Sequence, residues 1–192
     1  MDIPTETINL LFAIGTIGLQ VVALGLLAAF LIPRTTLAQR TSHLLRFALP
    51  AAFAVTTFGV LISLFYSEIV GYPPCSLCWL QRVFLYPQPI ILGIALWHHD
   101  RRAADYVMVL SALGAVVALY NYYIQMGGVS GFACPTGGEV ADCTRRYVFA
   151  FNYITIPMMS LTTFIVLALT MLHVRRLSAP VIEDNTFNTS SL

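Results

Sequence analysis

Five apolar runs, at residues 8–32, 47–70, 79–97, 106–126 and 153–174, occupy most of this 192-residue chain. Each is close to the roughly 20 residues that a helix needs to cross bilayer hydrocarbon. Within lipid a backbone segment must satisfy its own hydrogen bonds, which a helix does. The runs therefore predict an all-α fold: a polytopic membrane helical bundle, a single domain over residues 1–176, followed by a polar, disordered cytoplasmic tail at 177–192. Charged residues make up 10% of the chain, against roughly 25% in an average soluble domain. That is too few to coat a globular surface, which excludes a soluble enzyme, and the 58% hydrophobic content excludes a disordered chain. A net charge of +1 leaves no basic excess to neutralise phosphates, so membrane lipid rather than nucleic acid is the expected partner.

The arginines orient the bundle, and all ten basic residues are arginine. Seven of them, Arg34, Arg40, Arg46, Arg101, Arg102, Arg175 and Arg176, follow the first, third and fifth runs; three, Arg82, Arg145 and Arg146, fall on or toward the opposite side. Cytoplasmic loops carry the excess of positive residues, so the amino terminus is expected outside and the carboxyl terminus inside. Residues 1–7 hold two acids and no base, the reverse of a signal peptide's leader, so the first run reads as a retained helix. The longest loop, residues 127–152, then lies outside. Its stretch Thr144-Arg145-Arg146-Tyr147-Val148-Phe149-Ala150-Phe151 is amphipathic, and two readings stand. It is an interfacial segment with arginines among headgroups, set apart from the last span by Pro157, or it is simply the start of that span.

Cys75 and Cys78 precede the third run; Cys134 and Cys143 precede the fifth. Both loops face outside in this topology, in a compartment where disulfides persist. Two disulfides, or two dithiols that cycle, follow. Four cysteines allow three connectivities, of which neighbour pairing is the simplest. Cys75-Ser76-Leu77-Cys78 comes after Pro73-Pro74 and runs straight into a helix. A helix amino end offers unpaired N–H groups and a partial positive charge, and both favour thiolate, the reactive species. Positions 75, 78 and 82 share one helical face. Arg82 then lies one turn deeper than Cys78, placed to favour its thiolate or to polarise a bound electron acceptor. A structural disulfide and half a zinc site are the plainer readings. The second pair's Cys-x8-Cys spacing lies outside the usual zinc pattern, and His43, His98, His99 and His173 all belong to the inner side, so no metal is expected. Taken alone, Arg82 is most often an interfacial anchor; its register with the CxxC singles it out.

Two dithiol pairs on one face suggest a relay, because thiol–disulfide exchange moves two electrons per step without a metal. The chain has no haem-attachment motif, Gly-rich nucleotide loop or metal cage to end such a relay. The CxxC opens a membrane helix at headgroup depth, where a lipid-soluble quinone is the acceptor that fits. Trp79, Phe84 and Tyr86 nearby are the ordinary aromatic belt and carry no separate weight.

The words Pro74-Cys75-Ser76-Leu77-Cys78-Trp79-Leu80-Gln81-Arg82, continuing to Tyr86-Pro87, resemble the disulfide bond formation protein B family, including its BdbC-type members. So do Asp142-Cys143-Thr144 and Phe151-Asn152-Tyr153-Ile154-Thr155-Ile156-Pro157-Met158, and the resemblance covers about residues 47–176. It implies a four-helix core in a bacterial inner membrane, with both cysteine pairs on the periplasmic face. It implies a thiol:quinone oxidoreductase that reoxidises a DsbA-like, thioredoxin-fold dithiol oxidant and passes the electrons to ubiquinone or menaquinone. By position it implies that Cys134 takes the attack of the partner's thiolate and Cys143 exchanges with Cys75. Cys78 then reduces the quinone, with Arg82 beside its head. The known potential of that oxidant class is about −120 mV, and about 30 mV is 1.4 kcal/mol for a two-electron couple, so recharging it needs a strongly oxidising sink. Two features depart from the family pattern. The run at residues 8–32 is an additional amino-terminal helix with no assigned role, and eight residues between Cys134 and Cys143 make a short loop pair. Glu68, at the outer end of the second run, either pairs with Arg82 or sits among headgroups.

A vitamin-K-epoxide-reductase-like enzyme shares the quinone-linked chemistry, but in that family the CxxC follows the loop pair and here it precedes it. A non-enzymatic scaffold stapled by structural disulfides is the alternative of a different class; its thiols would stay closed under mild reductant. A small transporter would carry ionisable groups in mid-span, where this chain has almost none.

Overall fold

A computed structural model describes residues 5–31, 34–98, 100, 102–129 and 143–178, with the backbone alone for 34–46. The helices are α1 (Thr5–Leu31), α2 (Arg34–Leu64), α3 (Ser76–Leu85), α4 (Pro87–His98), α5 (Ala103–Gln125) and α6 (Ile156–Ser178), and a π-helical turn, Phe65–Ile69, continues α2. Four stretches are long and apolar enough to cross a membrane: Thr5–Leu31, Phe47–Ile69, Ala103–Gln125 and Ile156–Arg176. This is the polytopic helical membrane bundle expected from the apolar runs, with the additional amino-terminal helix in place. Leu24, Leu31, Phe58, Ile90, Trp97 and Val116 are more than half exposed on its outside. Such an apolar surface is an aggregation liability in water and ordinary against lipid tails.

The third expected span, residues 79–97, is not one helix. α3 ends at Leu85, with Tyr86 as its cap, and α4 starts at Pro87, because Pro87 and Pro89 lack a backbone N–H and their rings crowd the carbonyls four residues back. Gln88, fully buried, ties the junction together: its Nε2 donates to the Phe84 carbonyl (3.1 Å) and its Oε1 accepts from Ser111 Oγ of α5 (3.2 Å).

α5 packs most extensively on α6. At Gly114 a Cβ would come within 2.5 Å of the Phe164 ring, so a glycine there lets the two backbones approach closely. Toward the end away from the CxxC, Leu92, Val107, Leu167 and Met171 form a fully buried core. At that end Asp105 and Arg175 make the one ion pair among the described residues (3.4 Å), with both side chains largely exposed; such pairs contribute little. α1 packs against α6. Tyr66 Oη donates to Asn9 Oδ1 (2.9 Å), Tyr153 Oη donates to Gln20 Oε1 (3.0 Å), and the Arg176 guanidinium donates to the Phe30 carbonyl.

The stretch 144–151 is not the start of the last helix: it is largely irregular, with turns only at its ends. Ala150 and Ile154 bridge antiparallel around Phe151 (φ 49°) and Asn152 (φ 64°). Two successive positive φ values are the mark of a type I′ turn; asparagine tolerates that region, a bulky phenylalanine rarely adopts it. α6 follows at Ile156, with Pro157 in its first turn, where a missing N–H costs nothing. Pro157 thus starts a helix and does not separate two. Cys134, Asp142, Arg101 and the tail from residue 179 lie outside the described residues, as do the side chains of Arg34, Arg40 and Arg46.

Candidate functional site

Gly71, at φ 79°, turns the chain out of the π-helical turn, and Pro73-Pro74 lead it in extended form to Cys75. Cys75 (φ −72°, ψ 170°) caps α3, and its sulfur accepts from the Cys78 N–H at 3.3 Å. A sulfur thus fills the place that serine or aspartate usually takes at a helix start. Cys75 precedes the helix, whereas Cys78 and Arg82 lie within it, one turn apart. Both cysteines of the CxxC are free thiols, with their sulfurs 2.8 Å apart. Asn121 of α5, fully buried, directs its Nδ2 at both, 3.7 Å from the Cys78 sulfur and 4.0 Å from that of Cys75.

The pair sits at the amino-terminal end of α3, ahead of the expected apolar span that opens at Trp79. There the Cys78 thiol is lowered to about 7, first by the hydrogen bond from Cys75 and then, against the cost of burial, by the helix-start N–H bonding, Asn121 and the Arg82 charge. Cys75 is pushed upward by the hydrogen bond it gives to Cys78 and by burial. The first proton therefore leaves Cys78, and a second charge beside it is disfavoured.

Arg82 is 9% exposed. Its Nε donates to Ser63 Oγ and its Nη2 to the Ser63 carbonyl, both at 2.9 Å, and its guanidinium carbon lies 5.1 Å from the Trp79 ring centroid. Ser63 lies two residues before the π-helical turn, a device that releases backbone groups from the α ladder and recurs at functional sites. Glu68 makes no ion pair with Arg82; it is exposed and accepts from Ser67 Oγ at 2.9 Å. A buried charge is normally paired, and here the guanidinium instead lines a cavity of about 320 Å³ together with Cys78, Ser63 and Gln81. The Gln81 Nε2 is buried without a hydrogen-bond partner. Pockets for small molecules start at about this size, apolar with a few converging polar groups.

Cys143 of the second pair reaches the same place. Cys143 is 2% exposed and disulfide-bonded, and since Cys75 and Cys78 are free, neither is its partner. Its sulfur lies 3.9 Å from Ser76 Oγ, in one apolar cluster with Cys75, Leu77 and Ile124. The segment after it is held down by the Tyr72–Tyr147 stack (ring centroids 4.6 Å apart) and by Arg146 Nε donating to the Gln125 carbonyl at 2.6 Å. Of the residues singled out from the sequence, Cys75, Cys78, Cys143 and Arg82 are thus brought together, and Cys134 falls outside the described residues. No group of three metal-ligating side chains occurs among the described residues.

Sequence reading passed over Asn121, Gln81 and Ser63. Asn121 carried a usable signal, a carboxamide inside an apolar run, which in a membrane helix marks function by default. Asn121→Leu keeps the shape and removes the donor. A hydrogen bond of about 1 kcal/mol corresponds to about a fivefold loss of Cys78 thiolate near neutral pH. The expected result is an alkylation profile of reduced Cys78 displaced to higher pH, and an unmoved profile means that Asn121 only packs.

A helical membrane bundle that carries a dithiol on a helix cap, with a closed disulfide packed beside it, is a multi-pass membrane protein built for thiol–disulfide oxidoreduction. Residues 45–174 match the family described as disulfide bond formation protein DsbB, and the chain belongs to that family. It is similar to the SPbeta prophage-derived disulfide bond formation protein B of Bacillus subtilis, 43% identical over 112 residues, which are 58% of this chain and 74% of that one. It is also similar to disulfide bond formation protein C of the same organism, 38% identical over 63% of this chain and 87% of the relative. A probable disulfide formation protein of Chlamydia pneumoniae is 36% identical over 62% of this chain and 84% of the relative. No solved structure matches. The chain is accordingly a membrane protein of disulfide bond formation.

Proposed function

We propose that this protein reoxidises a thioredoxin-fold dithiol oxidant at the outer face of a bacterial inner membrane and passes the electrons to a membrane quinone. The observation that carries the reading is the buried Arg82, without a carboxylate partner among the described residues, lining one cavity with Cys78 and with Gln81, whose Nε2 is buried without a hydrogen bond. Arg82 and Gln81 are donors suited to the carbonyls of a quinone head, and the apolar lining suits its body. A bound quinone supplies the two-electron acceptor.

The cysteines do the rest. The partner's thiolate attacks the Cys134 sulfur of a Cys134–Cys143 disulfide, and Cys143 leaves as thiolate. This polarity is supported by the burial of Cys143 beside Ser76, which shields it from an external nucleophile. The partner's second thiol then displaces Cys134, so the partner leaves oxidised and the loop pair is a dithiol. With the CxxC in its oxidised form, Cys143 next attacks the Cys75 sulfur of the Cys75–Cys78 disulfide, Cys78 departs as the better leaving thiolate, and the loop disulfide re-forms when Cys134 displaces Cys75. The Cys75–Cys78 dithiol finally loses two electrons and two protons into the cavity and closes again. Orientation follows the arginine split, with both cysteine loops outside.

The experiment uses right-side-out and inverted membrane vesicles containing the protein and a defined quinone. A reduced thioredoxin-fold oxidant added outside right-side-out vesicles should be oxidised, with one quinol formed per disulfide, whereas inverted vesicles should be inert. Equal rates in both preparations contradict the orientation. A protein whose thiols neither open nor reclose in either preparation is a stapled scaffold, and the oxidoreductase reading fails.

A further inference from the structure

Helix α1 lies outside the stretch 45–174 that matches the family, yet it contributes Leu11, Phe12, Gly15, Thr16 and Leu19 to the cavity that holds Cys78 and Arg82. These positions follow i, i+1, i+4, i+5 and i+8, one face of one helix. Their sizes form a notch: Leu11, Phe12 and Leu19 frame Gly15 and Thr16, and a Cβ added at Gly15 meets nothing within 4 Å. The Thr16 hydroxyl donates back to the Phe12 carbonyl at 2.8 Å, so this face presents the cavity with an apolar surface. The notch is also held in position. Phe12 packs edge-on against Tyr66 (5.8 Å, 67°), whose hydroxyl bonds to Asn9, and Gln20 accepts from Tyr153 one helical turn beyond Thr16. The polar groups Arg82 and Gln81 come from α3, and the α1 face supplies none.

We propose that α1 is a wall of the quinone cavity and that its notch at Gly15 and Thr16 receives the isoprenoid-bearing edge of the quinone. This rests on the quinone reading above. A quinone is polar at its carbonyls and apolar at its tail, and the cavity offers both, with the Arg82 and Gln81 donors on α3, further polar side chains such as Gln125 and Arg145, and a largely hydrocarbon face on α1. The additional helix, outside the matched stretch, then sets affinity for the tail.

The test uses the full-length purified protein and two probes with the same ring, 2,3-dimethoxy-5-methylbenzoquinone with and without a decyl chain. Gly15→Leu fills the notch and should raise the KM of the decyl compound about tenfold while leaving that of the tail-less ring within twofold. Gly25→Leu, on the same helix, exposed and outside the cavity, also meets nothing within 4 Å and should change neither. An unchanged KM for the decyl compound in Gly15→Leu, or an equal rise for both probes, overturns the assignment of the tail to α1. The quinone reading survives that outcome if Arg82→Met still shifts KM in the same assay, and falls with it if Arg82→Met does not. A second measurement needs no variant. A photoreactive decyl-quinone should label the wild-type protein within residues 11–19, and labelling confined to α2, α3 and α6 overturns the proposal.

Discussion

Cys78→Ser should abolish quinone reduction, lowering the steady-state rate by at least about a thousandfold, equivalent to about 4 kcal/mol of barrier. A hydroxyl cannot close a disulfide with Cys75, so no two-electron carrier remains beside the cavity. The loop pair, whose Cys143 is disulfide-bonded without using the CxxC, should still oxidise one equivalent of partner. Cys75 is then left without its resolving thiol and lies in the same apolar cluster as Cys143. Before any partner is added, the Cys75 thiolate displaces Cys134 from the intact loop disulfide, so the expected trapped species is a Cys75–Cys143 link with Cys134 left as the thiol, found by peptide mapping without reductant. The wild-type rate should also carry a pH signature. Thiolate is the deprotonated form, so its fraction rises with pH and half is present at the pKa. With Cys78 lowered to about 7, the rate limited by this pair should climb through pH 7 and level off above it, below the usual thiol range of about 8.5. Residual multiple turnover in Cys78→Ser, or a rate still climbing at pH 9, would remove Cys78 from the assigned role.

The spans were legible because run length and hydropathy decide whether a helix suits lipid, and neither depends on neighbours. The break in the third stretch was less so, because Pro87 and Pro89 stand in an otherwise apolar run and proline is tolerated in membrane helices when neighbours repair the backbone. Here the repair comes from Gln88 and, across the bundle, Ser111. The amphipathic residues 144–151 do not begin the last helix for a local reason: the turn at Phe151-Asn152 and its bridge between Ala150 and Ile154 override helical periodicity. At the site, the CxxC and Arg82 were readable since they are neighbours along one helix. Ser63 and Asn121 were not, because their relation to Arg82 and the sulfurs exists only once α2 and α5 have packed on α3. The part played by α1 was hidden for the same reason. An apolar run announces a span, but which of its faces meets a cavity and which meets lipid is set by the helices beside it.

Arg82→Met should raise the KM for quinone about tenfold, with oxidation of the partner by the loop pair unchanged. Methionine retains much of the apolar stem while deleting the charged group that lies over Trp79, so the loss reports on the guanidinium. The loss of a charged donor at a partly desolvated carbonyl is worth about 1–2 kcal/mol, which corresponds to about tenfold. The effect on Cys78 should be smaller, because the Arg82 charge is the least of the influences on that thiol, behind Cys75, the helix-start N–H bond and Asn121. Its alkylation profile should move to higher pH by less than in Asn121→Leu. Arg82→Lys should recover only part of the affinity. Arg82 uses its Nε and one Nη on Ser63 at the same time, and its planar fork leaves further N–H groups fixed toward the cavity, whereas an ammonium is a compact point charge that cannot hold Ser63 and present a second donor in a set direction. The measurement is quinone reduction against quinone concentration for the three proteins, beside the pH dependence of Cys78 alkylation. If methionine leaves both curves where they were, the guanidinium is an interfacial anchor that happens to be buried, and the observation that carries the quinone reading is lost.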